Sequence, residues 1–266
     1  LTGFDAINLA LAEFTINNKG ISFDDLESIM MDSDTISISS KAKIYLNIAK
    51  TCKSFGRIDC AIKAYDNAII VNPNNYKYYN YKGLALRREQ RFKEAIEEYN
   101  KSLNIKPNYW EAQYNKGAAY ERMQLYDSAI NNFKEAIALE PLEEDSYIYL
   151  AYIYDEGLAE HKSAIEQLNI AISLNPEDTL AYSNRAAAYR DLGETDNALK
   201  DFDKSLSLDS TFYNVYNSRG ILYKNEGKYN LALKDYDNAI KYATTSDNYV
   251  YYNRGRLFHL MGENKL

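Results

Sequence analysis

The chain has 266 residues, 31 Lys and Arg against 38 Asp and Glu, a net charge of −7, and 46% hydrophobic residues. That is enough apolar material for a sizeable core, and the acidic balance argues against a general affinity for DNA, RNA or anionic membrane, each of which needs a dense basic face. No apolar run is long enough to span a membrane, and the most apolar stretch, YIYLAYIY at 147–154, reads as one buried helix.

Residues 1–41 hold two helical patterns. FDAINLALAEFTIN at 4–17 reads as a lone helix with Ala6 in a small-residue slot, and SFDDLESIMM at 22–31 as a short amphipathic helix. Together they are expected to form an N-terminal helical cap or a partial repeat. DSDTISIS at 32–39 begins like a calcium loop. It lacks the turn glycine and terminal glutamate, and Ile38 occupies its seventh position, so no ion is expected there.

From residue 42 a spacing takes over. Ala49, Gly83, Gly117, Ala151, Ala186, Gly220 and Gly255 mark one slot at steps of 34 or 35. Ala61, Ala95, Ala129, Ala164, Ala198 and Ala232 keep step with them, and so do all four prolines, Pro73, Pro107, Pro141 and Pro176. A period in this range means stacked helical hairpins. The expected units are 42–75, 76–109, 110–143, 144–178, 179–212 and 213–247, with a half unit from 248. Because that half unit stops one residue before its next expected alanine, the parent chain is expected to continue.

The unit 76–109 shows the logic when its glycine is numbered position 8. Tyr79 (4), Gly83 (8) and Leu86 (11) share one stripe of a first helix; Ala95 (20), Tyr99 (24) and Ser102 (27) share one stripe of a second. Small residues at 8 and 20 let the helices approach, and aromatics at 4, 11 and 24 fill the space beside them. Gly56, Gly193, Gly227 and Gly262, at position 15, suit the left-handed conformation that ends a helix. Proline at 32 stops the second helix, and polar residues after it, such as Asn74 and Asn75 or Asp178 and Thr179, cap the next first helix. Three departures stand out. The fourth unit carries one extra residue near 156–161, expected to bulge its turn; Ser210 and Thr244 replace proline and are expected to loosen their junctions.

These residues resemble the tetratricopeptide repeat family. YNYKGLALRREQRFKEAIEEYNKSLNIKP at 79–107 and YNKGAAYERMQLYDSAINNFKEAIALEP at 114–141 are similar to family members throughout. The resemblance implies an all-α, right-handed solenoid of stacked antiparallel helix pairs. It also implies that positions 2, 5, 6, 9, 12 and 13 of the first helices face a concave groove that takes up an extended peptide or a partner helix.

Position 6 is rich in asparagine: Asn47, Asn115, Asn184 and Asn253, with Tyr81 and Tyr149 in the same slot. An amide both donates and accepts, so such a ladder can hold a peptide main chain of any sequence. Of the 26 tyrosines, 13 fill scaffold slots; among the others Tyr81, Tyr114, Tyr149, Tyr152, Tyr249 and Tyr252 fall on groove positions, where tyrosine supplies contact area with a polar tip. Lys50, Arg87 and Arg88 make the groove basic in its first two units, and Glu111, Glu121, Asp145 and Asp155 make the third and fourth acidic, which orients a partner and speeds its encounter. The binding residues expected are therefore Asn47, Lys50, Tyr81, Arg87, Arg88, Tyr114, Asn115, Tyr149, Tyr152, Asn184, Tyr252 and Asn253.

Chemistry beyond binding finds no support. His161 and His259 are far apart, lack ligands at zinc spacing, and read as solvated or turn residues. The phosphate-cradle, dinucleotide and nucleophile-elbow motifs are missing, so neither catalysis nor cofactor nor metal is expected. Cys52 and Cys60 read as two buried small apolar residues rather than a disulfide or metal pair. Around Asn184 the chain matches part of the family's clamp for chaperone-tail carboxylates, but Ile148, Tyr152, Asn214 and Ser218 stand where the rest of that clamp belongs, so it is not expected. The expected role is a protein-interaction scaffold, with a cytoplasmic location. A regulatory domain that gates an attached effector is the alternative, and one-base-per-repeat RNA binding is disfavoured by the acidic charge.

Overall fold

The structure is a computed structural model, and it describes residues 37–243 and 248–262. The reading of 4–17 and 22–31, most of the acidic segment at 32–39, and the Thr244 junction lie outside the described residues. Two compact units divide the chain, one running to Glu140 and one from Pro141. In the first, helices α1 (Ile38–Ser54) and α2 (Ile58–Val71), α3 (Tyr76–Arg88) and α4 (Phe92–Ile105), and α5 (Trp110–Arg122) and α6 (Tyr126–Leu139) form three hairpins. In the second, α7 (Glu144–Tyr152) and α8 (His161–Leu174), α9 (Thr179–Asp191) and α10 (Thr195–Leu208), and α11 (Tyr213–Asn225) and α12 (Tyr229–Tyr242) form three more, followed by α13 (Asn248–Leu260). Among the described residues all regular structure is helical. Within each unit a first helix packs on its own second helix and that second helix on the next first helix, the solenoid arrangement expected from the period.

The small-residue slots do what close approach requires. The six position-20 alanines, Ala61 to Ala232, are fully buried. At position 8 the neighbour is the aromatic at position 24: a Cβ on Gly83 would lie 2.5 Å from the Tyr99 ring, one on Gly220 2.8 Å from Tyr236, and one on Gly117 3.1 Å from Phe133. The ring of the second helix therefore rests on the bare backbone of the first. Turns between the helices adopt the left-handed conformation at position 15 whether or not glycine is there: φ is +70° to +78° at Gly56, Gly193, Gly227 and Gly262, and +59° and +58° at Gln90 and Gln124.

Hydroxyls tie the junctions. Tyr79, Tyr147 and Tyr216 donate from position 4 to the carbonyls of Pro73, Pro141 and Ser210, at 3.0, 3.1 and 3.1 Å. Ser210 thus keeps the same contact as the prolines, and Asp209 accepts the Thr211 N–H at 2.8 Å in a side-chain turn. The loosening expected at this junction is not found, because its holding bond uses a carbonyl that every residue carries. Asn75 and Asp178 cap α3 and α9 as expected, accepting the N–H groups of Lys77 and Ala181 at 3.1 and 2.7 Å.

Charge forms a second clip. Arg185 holds Asp201 through Nε and Nη2 at 2.7 and 2.9 Å, and Lys82 holds Glu98 at 3.1 Å; each cation stands at position 7 and each acid 16 residues on, in the second helix of the same hairpin. Both also reach back to the preceding hairpin, Arg185 to Asn169 at 2.7 Å and Lys82 to Asp66 at 2.7 Å. Burial of the acid in both pairs, and bidentate geometry in Arg185–Asp201, make these stronger than open surface pairs.

Two sequence expectations need correction. Cys52 and Cys60 are joined by a disulfide across the α1–α2 turn, with Cα atoms 5.8 Å apart, instead of standing as separate apolar side chains. The tight turn brings positions 11 and 19 of one hairpin together within disulfide reach. The extra residue of the fourth unit does not simply bulge the turn: it widens the end of the first helix into a π-helical turn, Ile153–Gly157, with Leu158 N–H bonding the Ile153 carbonyl at 3.1 Å.

Candidate binding surface on the first helices

In the first unit, Asn47 and Lys50 are exposed on α1. Tyr81 on α3 is partly buried, its ring 6.0 Å from that of Tyr65, whose phenol burial and the Tyr81 hydroxyl push up to about 12. Arg87 is partly buried and Arg88 exposed in the last turn of the same helix. Tyr114 on α5 is also partly buried, edge-on to Phe133 at 5.6 Å and to Trp110 at 6.2 Å. In the second unit, Tyr152 on α7 and Tyr252 on α13 stand 44% and 59% exposed, while Tyr149 and Asn184 are partly buried. Tyr249 and Tyr251 add two more exposed rings to α13.

Asn115 and Asn253 do not belong to an open ladder. Both are buried, and each amide donates to the position-5 asparagine of the preceding first helix: Asn115 Nδ2 to Asn80 Oδ1, and Asn253 Nδ2 to Asn217 Oδ1, both at 3.1 Å. Asn80 passes the chain on, donating to the Tyr109 hydroxyl at 3.4 Å. A buried amide already spent on a neighbour is a stacking clip, since releasing it to a ligand would leave its partner unsatisfied. The signal was available in the sequence: an asparagine at position 5 in one unit followed by one at position 6 in the next occurs at both places.

Of the two readings of His161, solvated or turn residue, the structure agrees with the second. His161 opens α8, and its Nδ1 lies 2.6 Å from Asp155 Oδ1 inside the π-helical turn. Burial raises the Asp155 carboxyl above the usual range, the histidine acting against it. Donor atoms of Asp155, His161 and Asp191 lie within 4.8 Å of one another, with Asp191 already gripped by Arg190 at 2.8 and 2.9 Å. No described helix is long and apolar enough to cross a membrane.

Comparison with known proteins agrees with this architecture. The tetratricopeptide repeat model matches residues 42–75, 111–141 and 213–245, a second model of the same description matches 179–212, and a TPR repeat model matches 83–124. No curated protein matches the chain. Among solved structures, the MamA protein is 30% identical over 65% of this chain and 94% of its own, with a TM-score of 0.55. A tetratricopeptide repeat protein from Parabacteroides merdae superposes over 84% of this chain and 88% of its own with a TM-score of 0.71 at 18% identity, a likeness of fold alone. YrrB, described as a TPR protein with an unusual peptide-binding site, is likewise similar in fold, at 23% identity over 74% of this chain and 100% of its own, with a TM-score of 0.55.

Proposed function

The chain belongs to the tetratricopeptide repeat family, and on that premise we propose that it is a non-catalytic scaffold whose first helices bind an extended peptide or a partner helix. The observation that carries the reading is a contrast between aromatics. Tyrosines in scaffold slots are buried, Tyr65, Tyr99 and Tyr236 on second helices and Tyr45 and Tyr147 on first helices, whereas Tyr152 and Tyr252, at groove positions of first helices, are 44% and 59% exposed. Leaving large rings in water forgoes burial worth about 25 cal/mol per Å², and rings held at a surface by rigid helices are preformed anchors for a partner. Asn47 in the first unit and Asn184 in the second supply amides, and Lys50, Arg87 and Arg88 of the first unit supply charge that steers an acidic partner.

Peptides selected from a random library against the whole chain test this. Tyr152→Ala or Tyr252→Ala should weaken peptides bound to the second unit, about 2 kcal/mol if the ring is a central anchor, with helix content unchanged. Glu97→Ala, on the exposed face of α4, is the control. If second-helix changes weaken binding and first-helix changes do not, the partner sits on the other face and the reading fails.

A further inference from the structure

A pocket of about 430 Å³ opens in the first unit where three hairpins meet at their turns. Lys53, Arg87, Arg88 and Arg122 line it above an apolar floor that includes Ile58 and Phe92. The cations come from the last turns of three successive first helices, α1, α3 and α5. Among the described residues none of the four has a carboxylate within 4.0 Å, although Lys82, Arg91 and Lys101 of the same unit are all paired.

The simplest role for a cation in a last turn is to offset the partial negative charge of the helix end, about half an elementary charge for each helix. Three such ends account for about 1.5 of the four positive charges. The second helices begin where the first ones stop. Ile58 and Phe92 are the first residues of α2 and α4, and neither helix has a side-chain cap on its N-terminal N–H groups. Each of those ends carries an acid in its first turn, Asp59 and Glu94, the latter held by Arg91, so the charge of the pocket is set by the four cations. The site therefore carries a clear excess of positive charge with an apolar base, and its charge demand is unmet from within the unit.

We propose that this pocket receives the carboxylates of an acidic, extended peptide segment, an inference that rests on the first helices being the binding face and adds the chemistry of the ligand. One small anion cannot reach cations carried by three hairpins. Packed helices lie about 8–10 Å apart, and a chain in the extended polyproline II conformation advances about 3.1 Å per residue with three residues per turn, so carboxylates on every third residue share one face and match the step from one hairpin to the next. Arg87 and Arg88 can each grip a carboxylate through two nitrogens, while Lys53 and Arg122 flank them.

The test uses the whole chain and labelled nine-residue peptides with Glu at every third position, beside the same peptide carrying Gln and one carrying Lys. The Glu peptide should bind, weaken as salt is raised, and lose about tenfold in affinity with Arg87→Gln or Arg88→Gln, the loss of one charge-assisted hydrogen bond. Lys53→Gln and Arg122→Gln, both at exposed side chains, repeat the measurement should either arginine variant lose helix content. Lys134→Gln on exposed α6 should change nothing. Equal binding of the Glu and Gln peptides, or indifference to all four neutralisations, overturns the proposal. Library-selected peptides without acids that are lost on Tyr81→Ala would sink the acidic ligand and leave the binding face standing. Should no selected peptide depend on any first-helix residue, the binding face falls and this inference with it.

Discussion

Arg219 grips Asp235 through Nε and Nη2, both at 2.8 Å, while its Nη1 reaches Asp203 at 2.5 Å. Asp235 lies on α12, in the same hairpin, and Asp203 on α10, in the one before. A single side chain at position 7 thus fixes the distance between the two helices of a hairpin and also the step to its neighbour. Arg254 makes the backward half of the contact, to Asp237 at 3.1 Å. Because each hairpin of a solenoid touches only its neighbours, such a residue carries cooperativity along the stack.

Lys116 occupies position 7 of the third hairpin, but the residues 16 before and after it are Asn100 and Asn132. It has no acidic partner among the described residues, and burial lowers its pKa. Asn132→Asp should supply the missing acid and raise stability by about 0.5–1 kcal/mol, the range of a partly exposed pair. An aspartate whose folded pKa is pulled down by a cation contributes above its unfolded value of about 3.9 and loses that contribution as pH falls through the folded one. The gain should therefore be present at neutral pH and vanish in acid. A variant no more stable at pH 7 than the parent, in thermal melts followed by circular dichroism, would show that Lys116 does not reach the slot.

The position-8 glycines give a graded series. Gly83→Ala would place a Cβ 2.5 Å from the Tyr99 ring and should cost about 1–3 kcal/mol, as overpacking does. At Gly117 the Phe133 ring need move only a few tenths of an ångström, so the cost should be smaller. Gly255 faces no atom within 4 Å, and its replacement by Ala should stabilise α13 by about 0.5–1 kcal/mol through helix propensity alone. The order of the three melting points checks the register, and a Gly83→Ala variant as stable as Gly255→Ala would contradict it.

At position 15 the backbone is left-handed even where the side chain resists it. Gln124→Gly should relieve the steric cost of φ +58° and stabilise the α5–α6 turn, by about 1 kcal/mol at most. Gly193→Ala, at φ +78°, should lose a similar amount. Equal and opposite shifts in denaturant midpoint would confirm that turn geometry is imposed by the hairpin and not chosen by the residue.

How much of this was legible in the sequence depends on the range of the contact. The slots at 8, 20 and 24 repeat in every unit, so periodicity located the small and aromatic residues of the hairpin core, but not that the position-24 ring of Tyr99 rests on the bare backbone of Gly83. The ion-pair clip also repeats, with Arg185–Asp201 and Arg219–Asp235 at the same interval. Its repeat is silent in the sequence because charged residues on helices read as solvated faces until a partner is seen. The π-helical turn at Ile153–Gly157 was legible only as one surplus residue. Where a surplus residue goes depends on whether the turn or the helix deforms at lower cost, and periodicity says nothing about that. Asn115 departs from its expected place for a different reason. The position-6 side chain is exposed at Asn47 and buried in the seam between first helices at Asn115 and Asn253, and in both buried cases position 5 of the preceding hairpin carries an asparagine to meet it.

That distinction supplies the last prediction. Asn115→Ala removes the donor to a buried acceptor, Asn80 Oδ1, and should destabilise the first unit by about 1–3 kcal/mol, the cost of stranding a buried polar group. Asn80→Ala should cost a similar amount, and the double variant less than the sum, because the two side chains satisfy one another. Asn47→Ala, at an exposed position-6 residue, should leave stability unchanged and act only on ligand affinity, by about 0.5–1.5 kcal/mol if its amide meets a peptide main chain. Denaturant melts and peptide titrations on the same four proteins separate the two roles. If Asn115→Ala melts like the parent chain while lowering affinity as Asn47→Ala does, the seam is loose enough to open. Asn115 would then return to the binding face.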